Sequence, residues 1–184
     1  MYLDDVQLET GDIILTSKNS IIVLFLRLFQ KDPVYWGHVA VAKDNTAIWE
    51  AHFKLQEIPI EKFFKEHKHY KHYKIIRKID LTEEQKTKML KIAPKLLGTP
   101  YSLKRIWWQF LDQIFHTNKY TNKHISKFQQ VCSSYTGWIY WVACKYKFNG
   151  IPWQSLDPDD IEDDQLAHPE RFVELKTKEL YNRK

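Results

Sequence analysis

The segment 130–144 constrains the fold more than any other part of the chain, because it combines a capped helix start with a long apolar run. Four large apolar residues recur in it at i, i+3, i+4 and i+7, which is the spacing of one helical face. They are Tyr135, Trp138, Ile139 and Val142. Because further aromatic residues widen this face, we expect a central helix that is buried on most of its sides.

Cys132 lies in the first turn of this predicted helix. Unpaired backbone N–H groups and the positive end of the helix dipole favour a thiolate at such a position, which is one way to make a sulfur nucleophile. An inert core cysteine is an equally good interpretation when the position is considered alone. The choice depends on which other side chains the fold brings to the thiol.

The length and composition restrict the class of protein. A chain of 184 residues is long enough for one domain with a real core and too short for two, so we expect a single domain over 1–184. Aromatic residues make up 15% of the chain, which favours a core of large rings or an aromatic-lined groove. Only five glycines occur, none in a phosphate-binding motif, which argues against nucleotide chemistry.

The two cysteines, Cys132 and Cys144, cannot form a disulfide framework. On one helix they would lie about 18 Å apart, which is far beyond disulfide reach. Both are expected to be free thiols, as in a reducing compartment or in catalysis.

Hydrophobic periodicity and turn residues predict further elements on both sides of the central helix. The predicted strands cover 11–16, 36–42, 47–52, 55–60, 73–79 and 169–175. The predicted helices cover 20–30, 61–67, 82–97 with Thr82 as N-cap and Pro94 as a kink or early end, a segment from Leu103, and a segment that starts at Asp157-Pro158. Asn149-Gly150-Ile151-Pro152 is a predicted stop for the central helix.

The predicted strands 36–42 and 47–52 form a hairpin around the turn sequence Lys43-Asp44-Asn45-Thr46. With the loop centred on Asp44, His38 and Glu50 face each other directly, with Cβ atoms about 5 Å apart. His52 then lies one diagonal step away on the same side and is a second partner for His38 if the register slips. An imidazole beside a carboxylate is a base with its orienting partner, although a solvent-facing pair without function has the same pattern.

The net charge of +5 is unevenly spread, because 62–78 is basic and 157–164 is acidic. Two solvated faces are the simple interpretation, and weak binding to anionic surfaces is the sharper alternative. No dedicated nucleic-acid module is present. The cluster of His67, His69 and His72 is not expected to bind a metal, because lysines surround it and no acidic partner completes a ligand set.

Several short motifs occur in a defined order along the chain. They are Gly11-Asp12-Ile13-Ile14, Gly37-His38-Val39-Ala40, Ile48-Trp49-Glu50-Ala51, Gly98-Thr99-Pro100-Tyr101, Val131-Cys132-Ser133-Ser134-Tyr135 and Leu156-Asp157-Pro158-Asp159-Asp160-Ile161. In this order, with the histidine strand before the cysteine helix, the sequence resembles the circularly permuted NlpC-like branch of the papain-fold cysteine hydrolases, the YiiX-like group. The resemblance spans about 11 to 173, and a long insert rich in Trp and Lys separates Tyr101 from Cys132.

The resemblance implies an α+β, papain-like fold in which an antiparallel sheet packs against the central helix that carries the cysteine. It implies Cys132 as nucleophile, His38 as general base and Glu50 as orienting acid. The expected substrate contacts are Tyr101, Trp36 and Ser133. Such a site needs no metal or organic cofactor.

The resemblance also implies a reaction, which is cleavage of an amide bond through an acyl-enzyme, with murein-type peptides as the leading substrate class. A lipid acyl hydrolase or acyltransferase of the same fold is one alternative. A papain-fold binding module without catalysis is a second, and a basic protein that binds anionic surfaces is a third. Fast alkylation of Cys132 near neutral pH would favour a hydrolase. Salt-sensitive binding to anionic polymers or vesicles that survives loss of Cys132 would favour a basic surface-binding protein.

The location is predicted from the N-terminal residues and from one apolar stretch. The segment 1–5 is acidic and has no signal-peptide pattern, and the apolar segment 21–29 is shorter than the roughly 20 residues that span a bilayer. We therefore expect a cytoplasmic protein, or one delivered without a signal peptide, for example by a phage particle.

Overall fold

A computed structural model describes residues 6–17, 36–66, 72–100 and 131–178. Several sequence-based predictions lie outside these residues. They are the helix over 20–30, the helix from Leu103, the position of Tyr101, and His67 and His69 of the histidine cluster.

The described strands form one antiparallel six-stranded sheet. They are β1 (Ile13–Thr16), β2 (His38–Ala42), β3 (Ala47–Ala51), β4 (Leu55–Pro59), β5 (Tyr73–Lys78) and β6 (Phe172–Lys178). Their order across the sheet is β4-β3-β2-β1-β5-β6. All six lie where strands were predicted, although β6 begins at Phe172 because residues 169–171 form a turn.

The described helices are α1 (Ile60–Glu66), α2 (Glu83–Ile92), α3 (Cys132–Cys144) and α4 (Pro158–Ala167). The predicted N-cap of α2 is present, since the Thr82 hydroxyl accepts the N–H of Gln85. This helix ends at Ile92 because Pro94 turns the chain into the 3₁₀ segment Ala93–Leu96. The Asp157-Pro158 start of α4 is also present, with proline in the first turn.

The start of α3 places the cysteine thiol in its first turn. The chain is extended at Val131, and its N–H donates to the Ser134 hydroxyl at 3.0 Å, which closes the first turn. The helix ends at Cys144 rather than at the predicted stop around Asn149, because Lys145 takes a left-handed conformation with φ of 57°. The two cysteines are free thiols, as expected.

The buried surface of α3 differs in part from the predicted face. Tyr135 and Ile139 are buried as predicted, but Trp138 and Val142 are half-buried, whereas Tyr140 is fully buried. The Tyr140 hydroxyl donates to the carbonyl of Gly11 beside the sheet. The buried face of the helix is therefore rotated relative to the simple i, i+3, i+4, i+7 stripe, and the buried hydroxyl of Tyr140 has the partner that its burial requires.

The sheet separates two hydrophobic cores. Side chains from alternate positions of the central strands enter opposite cores, since successive strand residues point to opposite faces. The core on the α2–α3 side, called the helix-side core here, includes Leu15, Val39, Trp49, Cys132 and Tyr135. The core on the α1 side, called the opposite core, includes Ile14, Ala40, Ile48 and Phe63. Within the described part of the chain, no helix is long and apolar enough to cross a membrane.

Candidate active site

The β2–β3 hairpin has a register that differs from the predicted one. Glu50 pairs with Ala40, so His38 is two residues from direct opposition to Glu50. The cause is the turn, in which Asp44 accepts the N–H groups of Thr46 and Ala47 and so starts the loop instead of lying at its centre. Because strand side chains alternate with a period of two, this shift keeps His38 and Glu50 on the same face.

The imidazole of His38 and the carboxylate of Glu50 meet on the diagonal of this hairpin. Nε2 of His38 lies 3.2 Å from Oε2 of Glu50, and the Glu50 side chain has no solvent exposure. His38 is also hydrogen-bonded to the thiol of Cys132. Since Nε2 faces the carboxylate, Nδ1 is the ring nitrogen that remains for the sulfur.

The partners of the thiol and the imidazole move the proton from sulfur to nitrogen, although burial opposes this transfer. Burial alone would raise the pKa of Cys132, but the hydrogen bond from His38 and its positive charge hold this pKa below the ordinary thiol value. The backbone N–H groups of Val39 and Ser133 act in the same direction. Burial would lower the pKa of His38, yet Cys132 and Glu50 raise it to about 9. The site therefore favours a thiolate–imidazolium pair at neutral pH.

Cys132 and His38 lie where the two cores meet at the start of β2. Cys132 belongs to the helix-side core. The ring of Phe63, which belongs to the opposite core, stacks on His38 with centroids 6.3 Å apart. Apolar packing on both sides keeps the pair away from bulk water, where its electrostatic attraction would be weaker.

Glu50 has a further partner that the sequence analysis did not identify. Nε2 of Gln56 donates to Oε1 of Glu50 at 2.7 Å. The two residues are directly opposite in the β3–β4 register. The predicted strand over 55–60 already contained Gln56, and a tight turn after His52 was the signal that could have paired it with Glu50.

Trp36 lies two residues before His38 and was predicted to contact substrate. The structure gives its side chain no exposed surface. Its indole N–H donates to Glu162 at 2.6 Å, and its backbone N–H donates to Asp159 at 2.8 Å. Trp36 therefore joins the start of β2 to α4 and belongs to the support of the site.

Of the other two predicted substrate contacts, Ser133 lies within the described residues and Tyr101 does not. Ser133 is buried, and its backbone N–H acts on the sulfur of Cys132, so its contact with substrate stays a prediction. Tyr101 lies just outside the described residues, but Pro100 forms a bridge with Lys54, two residues after His52. The turn that precedes Tyr101 therefore lies beside the β3–β4 loop.

Within the described ranges, no group of three or more His, Cys, Asp or Glu side chains could hold a metal ion.

The ring of His52 lies 6.4 Å from that of His38, at the position that the predicted register had given to Glu50. Of the two predicted partners, the structure therefore places Glu50 at hydrogen-bond distance from the imidazole of His38.

An antiparallel sheet packed against a helix that starts with a cysteine, with the histidine strand earlier in the chain, defines a papain-like cysteine hydrolase in permuted order. The family model described as "Permuted papain-like amidase enzyme, YaeF/YiiX, C92 family" matches residues 7–130, and the chain belongs to this family. The match includes His38 and Glu50 and ends just before Cys132.

A solved structure with a similar fold is that of the metalloprotein yiiX from Escherichia coli O157:H7. It has a TM-score of 0.58 and 21% sequence identity, over 78% of this chain and 70% of that chain. No curated protein matches the sequence. The comparisons confirm the permuted papain-like fold and place the chain among the cysteine peptidases and amidases, which are hydrolases.

Proposed function

We propose that the chain cleaves amide bonds through an acyl-enzyme, with Cys132 as nucleophile, His38 as acid and base, and Glu50 as the group that orients His38. The single observation that carries this proposal is the pair of contacts made by His38, which is bonded to the buried thiol and to the buried carboxylate. This is the arrangement of a nucleophile with its base and orienting acid.

Acylation begins with the thiolate of Cys132, which attacks the carbonyl carbon of the bound amide. The carbonyl π electrons move to oxygen, and the backbone N–H of Cys132 in the first turn of α3 is free of an intrahelical partner and can donate to this oxyanion. The imidazolium of His38 then gives its proton to the leaving nitrogen as the C–N bond breaks. An amine leaves, and a thioester on Cys132 and a neutral imidazole remain.

Deacylation uses the same groups in the opposite direction. The neutral imidazole of His38 takes a proton from water as the oxygen attacks the thioester carbonyl. The C–S bond breaks, a carboxylic acid is released, and the thiolate–imidazolium pair is restored. Glu50 stabilises the imidazolium and holds Nε2, so that Nδ1 faces the sulfur in both steps.

Peptides are the substrate class that an amidase family favours, and murein-type peptides are the first set to test. The purified protein is incubated with murein-derived peptides, and new amino groups and shortened peptides are measured. We expect cleavage by the wild type and its loss in Cys132→Ala and His38→Ala, with Cys144→Ser unchanged. Cleavage that persists in Cys132→Ala would contradict the proposed nucleophile.

A second candidate substrate class is an acyl ester or thioester, which one observation favours. Phe53 is 84% exposed, although it is a large apolar side chain. Its ring stacks on His52 at 4.5 Å, and His52 in turn lies beside His38. The exposed ring of Phe53, which His52 separates from His38, offers a surface for an acyl chain.

This second class is tested with p-nitrophenyl esters of increasing acyl length. If acyl chains are substrates, Phe53→Ser should raise KM for long chains several-fold and leave acetate esters unchanged. Ile79→Ser is the matched control, because Ile79 is another exposed apolar residue, in the turn that follows β5. Equal effects of the two substitutions would exclude a specific role for Phe53.

A further inference from the structure

We propose that Gln56 is a positioning residue of the active site, which acts through Glu50 to hold the imidazole of His38 against the thiol. The inference rests on the proposed triad and extends it by one side chain. Gln56 occupies Oε1 of Glu50 at 2.7 Å, while Oε2 of the same carboxylate lies 3.2 Å from His38.

The backbone places Gln56 at this position. Glu50 and Gln56 are directly opposite in the β3–β4 ladder, and opposite residues of an antiparallel pair share one face. The short loop between them is closed by a bond from the N–H of His52 to the carbonyl of Lys54. On the outer side of β4, the N–H of Leu55 donates to Thr99 at 2.8 Å. The amide is therefore held in register by contacts on both sides of its strand.

A fully buried carboxylate requires donors on its oxygens, because an unpaired charge is costly away from water. Gln56 meets this requirement on Oε1 without bringing a charge. A lysine or arginine at this position would neutralise Glu50 and weaken its attraction for the imidazolium. An amide leaves the negative charge of Glu50 directed at His38, which is what the orienting role needs.

Loss of the amide donor would act on His38 in two ways. The terminal torsion of a glutamate is soft, so loss of the donor at Oε1 allows the carboxylate to rotate relative to the ring. Its charge would also be less well stabilised at the buried position. Since Glu50 is one of the causes that raise the pKa of His38, this pKa should fall when Gln56 is replaced.

The test compares Gln56→Met, which has similar length and no donor, with Gln56→Glu, which can donate only while it is protonated. All variants carry Cys144→Ser, so that Cys132 is the thiol observed. Glu57→Gln is the control, since Glu57 follows on the same strand, points to the other face of the sheet and accepts bonds from Lys43 and Trp49. The readouts are an NMR titration of His38 and the rate of Cys132 alkylation by iodoacetamide between pH 4 and 10, with near-UV circular dichroism to verify folding.

Gln56→Met should lower the pKa of His38 by about one unit, which corresponds to the loss of one hydrogen bond to a charged group. An imidazolium that is held less firmly against the thiol also stabilises the thiolate less, so the pKa of Cys132 should rise and the acid limb of the alkylation profile should move to higher pH. In acid, Gln56→Glu should have an alkylation rate close to that of the wild type. At high pH its rate should approach that of Gln56→Met, because the introduced carboxylate repels Glu50. Glu57→Gln should follow the wild type throughout.

Two results would overturn the proposal. One is a Gln56→Met variant whose His38 titration and alkylation profile equal those of the wild type. The other is that Gln56→Met and Gln56→Glu have parallel alkylation profiles at every pH. This would indicate a structural effect without a role for the donated proton. If Gln56→Met does not fold, Gln56→Asn replaces it, and a His38 pKa and alkylation rate unchanged by the shorter amide would likewise count against the proposal.

Failure of the proposed function is a separate result. It would be a wild-type Cys132 that is alkylated no faster than an ordinary thiol at neutral pH. The NMR titration still decides the role of Gln56 in that case, because it reports the coupling of Gln56, Glu50 and His38 without any reaction at sulfur.

Discussion

The indole N–H of Trp36 donates to a carboxylate oxygen of Glu162 at 2.6 Å, although the two residues are 126 positions apart in the chain. The other oxygen of Glu162 accepts from Lys74 on β5 at 3.0 Å, and all three side chains are buried. This cluster joins α4 and β5 to the residues that lead into His38. The position of β2 therefore depends on a carboxylate near the end of the described chain.

Replacement of Glu162 by alanine should destabilise the fold by about 3 kcal/mol, because it removes the buried partner of Lys74 and the acceptor of the indole. This loss of stability is at the lower end of the range for breaking a buried ion pair, because Lys74 keeps a second carboxylate, that of Glu174, at 3.4 Å. Glu162→Gln keeps an acceptor and should lose less. Urea unfolding followed by tryptophan fluorescence measures both, with exposed Glu84→Ala as control. Equal stability of Glu162→Ala and Glu84→Ala would contradict this role.

Alkylation of Cys132 should remain fast at neutral pH. A lowered pKa means that the thiolate is present above the folded-state value and is lost only as the pH falls through it. His38→Ala removes the hydrogen bond and charge that lower this pKa, and burial then raises it. We expect a rate at pH 7 reduced by at least about tenfold, with recovery only in alkali. Iodoacetamide kinetics in a Cys144→Ser background provide the measurement, and indifference to His38 would argue against the ion pair.

Hydrolysis should lose activity as the pH rises through about 9, where the imidazolium of His38 gives up the proton needed by the leaving group. Burial opposes the charged form of His38, and Cys132 and Glu50 support it. Glu50→Gln removes one of these supports, so the alkaline limb of kcat/KM should move to lower pH by about one unit. The pH profile of amide cleavage tests this, and an unshifted alkaline limb would exclude Glu50 as the orienting acid.

Gly137 lies inside α3 where no room exists for a side chain. A Cβ atom there would lie 2.8 Å from the Leu156 side chain and 3.2 Å from the backbone of Trp153. Gly137→Ala should therefore destabilise the fold by about 2 kcal/mol, even though alanine favours helices more than glycine. Thermal unfolding measures the change, with exposed Lys88→Ala in α2 as control. A rise in stability would show that Leu156 and Trp153 can move aside.

Local sequence patterns were sufficient for several parts of the site. The hydroxyl of Ser134 and the apolar run after it predict a helix that starts at Cys132, because capping and helical periodicity are short-range properties. The turn residues around Asp44 predict a hairpin that carries His38 and Glu50 on one face. The order of these motifs predicts the permuted papain-like family, and the family match and fold comparison confirm it.

Other features depend on relations that no local pattern contains. The start of the loop at Asp44 set the pairing of Glu50 with Ala40, and a shift of two residues leaves every periodic signal in the sequence unchanged. The hydroxyl of Tyr140 is paired with the carbonyl of Gly11, 129 positions away in the chain, and no helical stripe can indicate such a partner.

The sequence by itself determined which residues could bring chemistry to the site, since a cysteine at a helix start and an acid on the same hairpin face as a histidine are set by short stretches of chain. Only the tertiary structure decided what holds them. Gln56 reaches Glu50 through strand register, and Glu162 reaches Trp36 through the packing of α4. Such contacts arise when distant segments bury their polar groups against each other, and burial is a property of the whole fold.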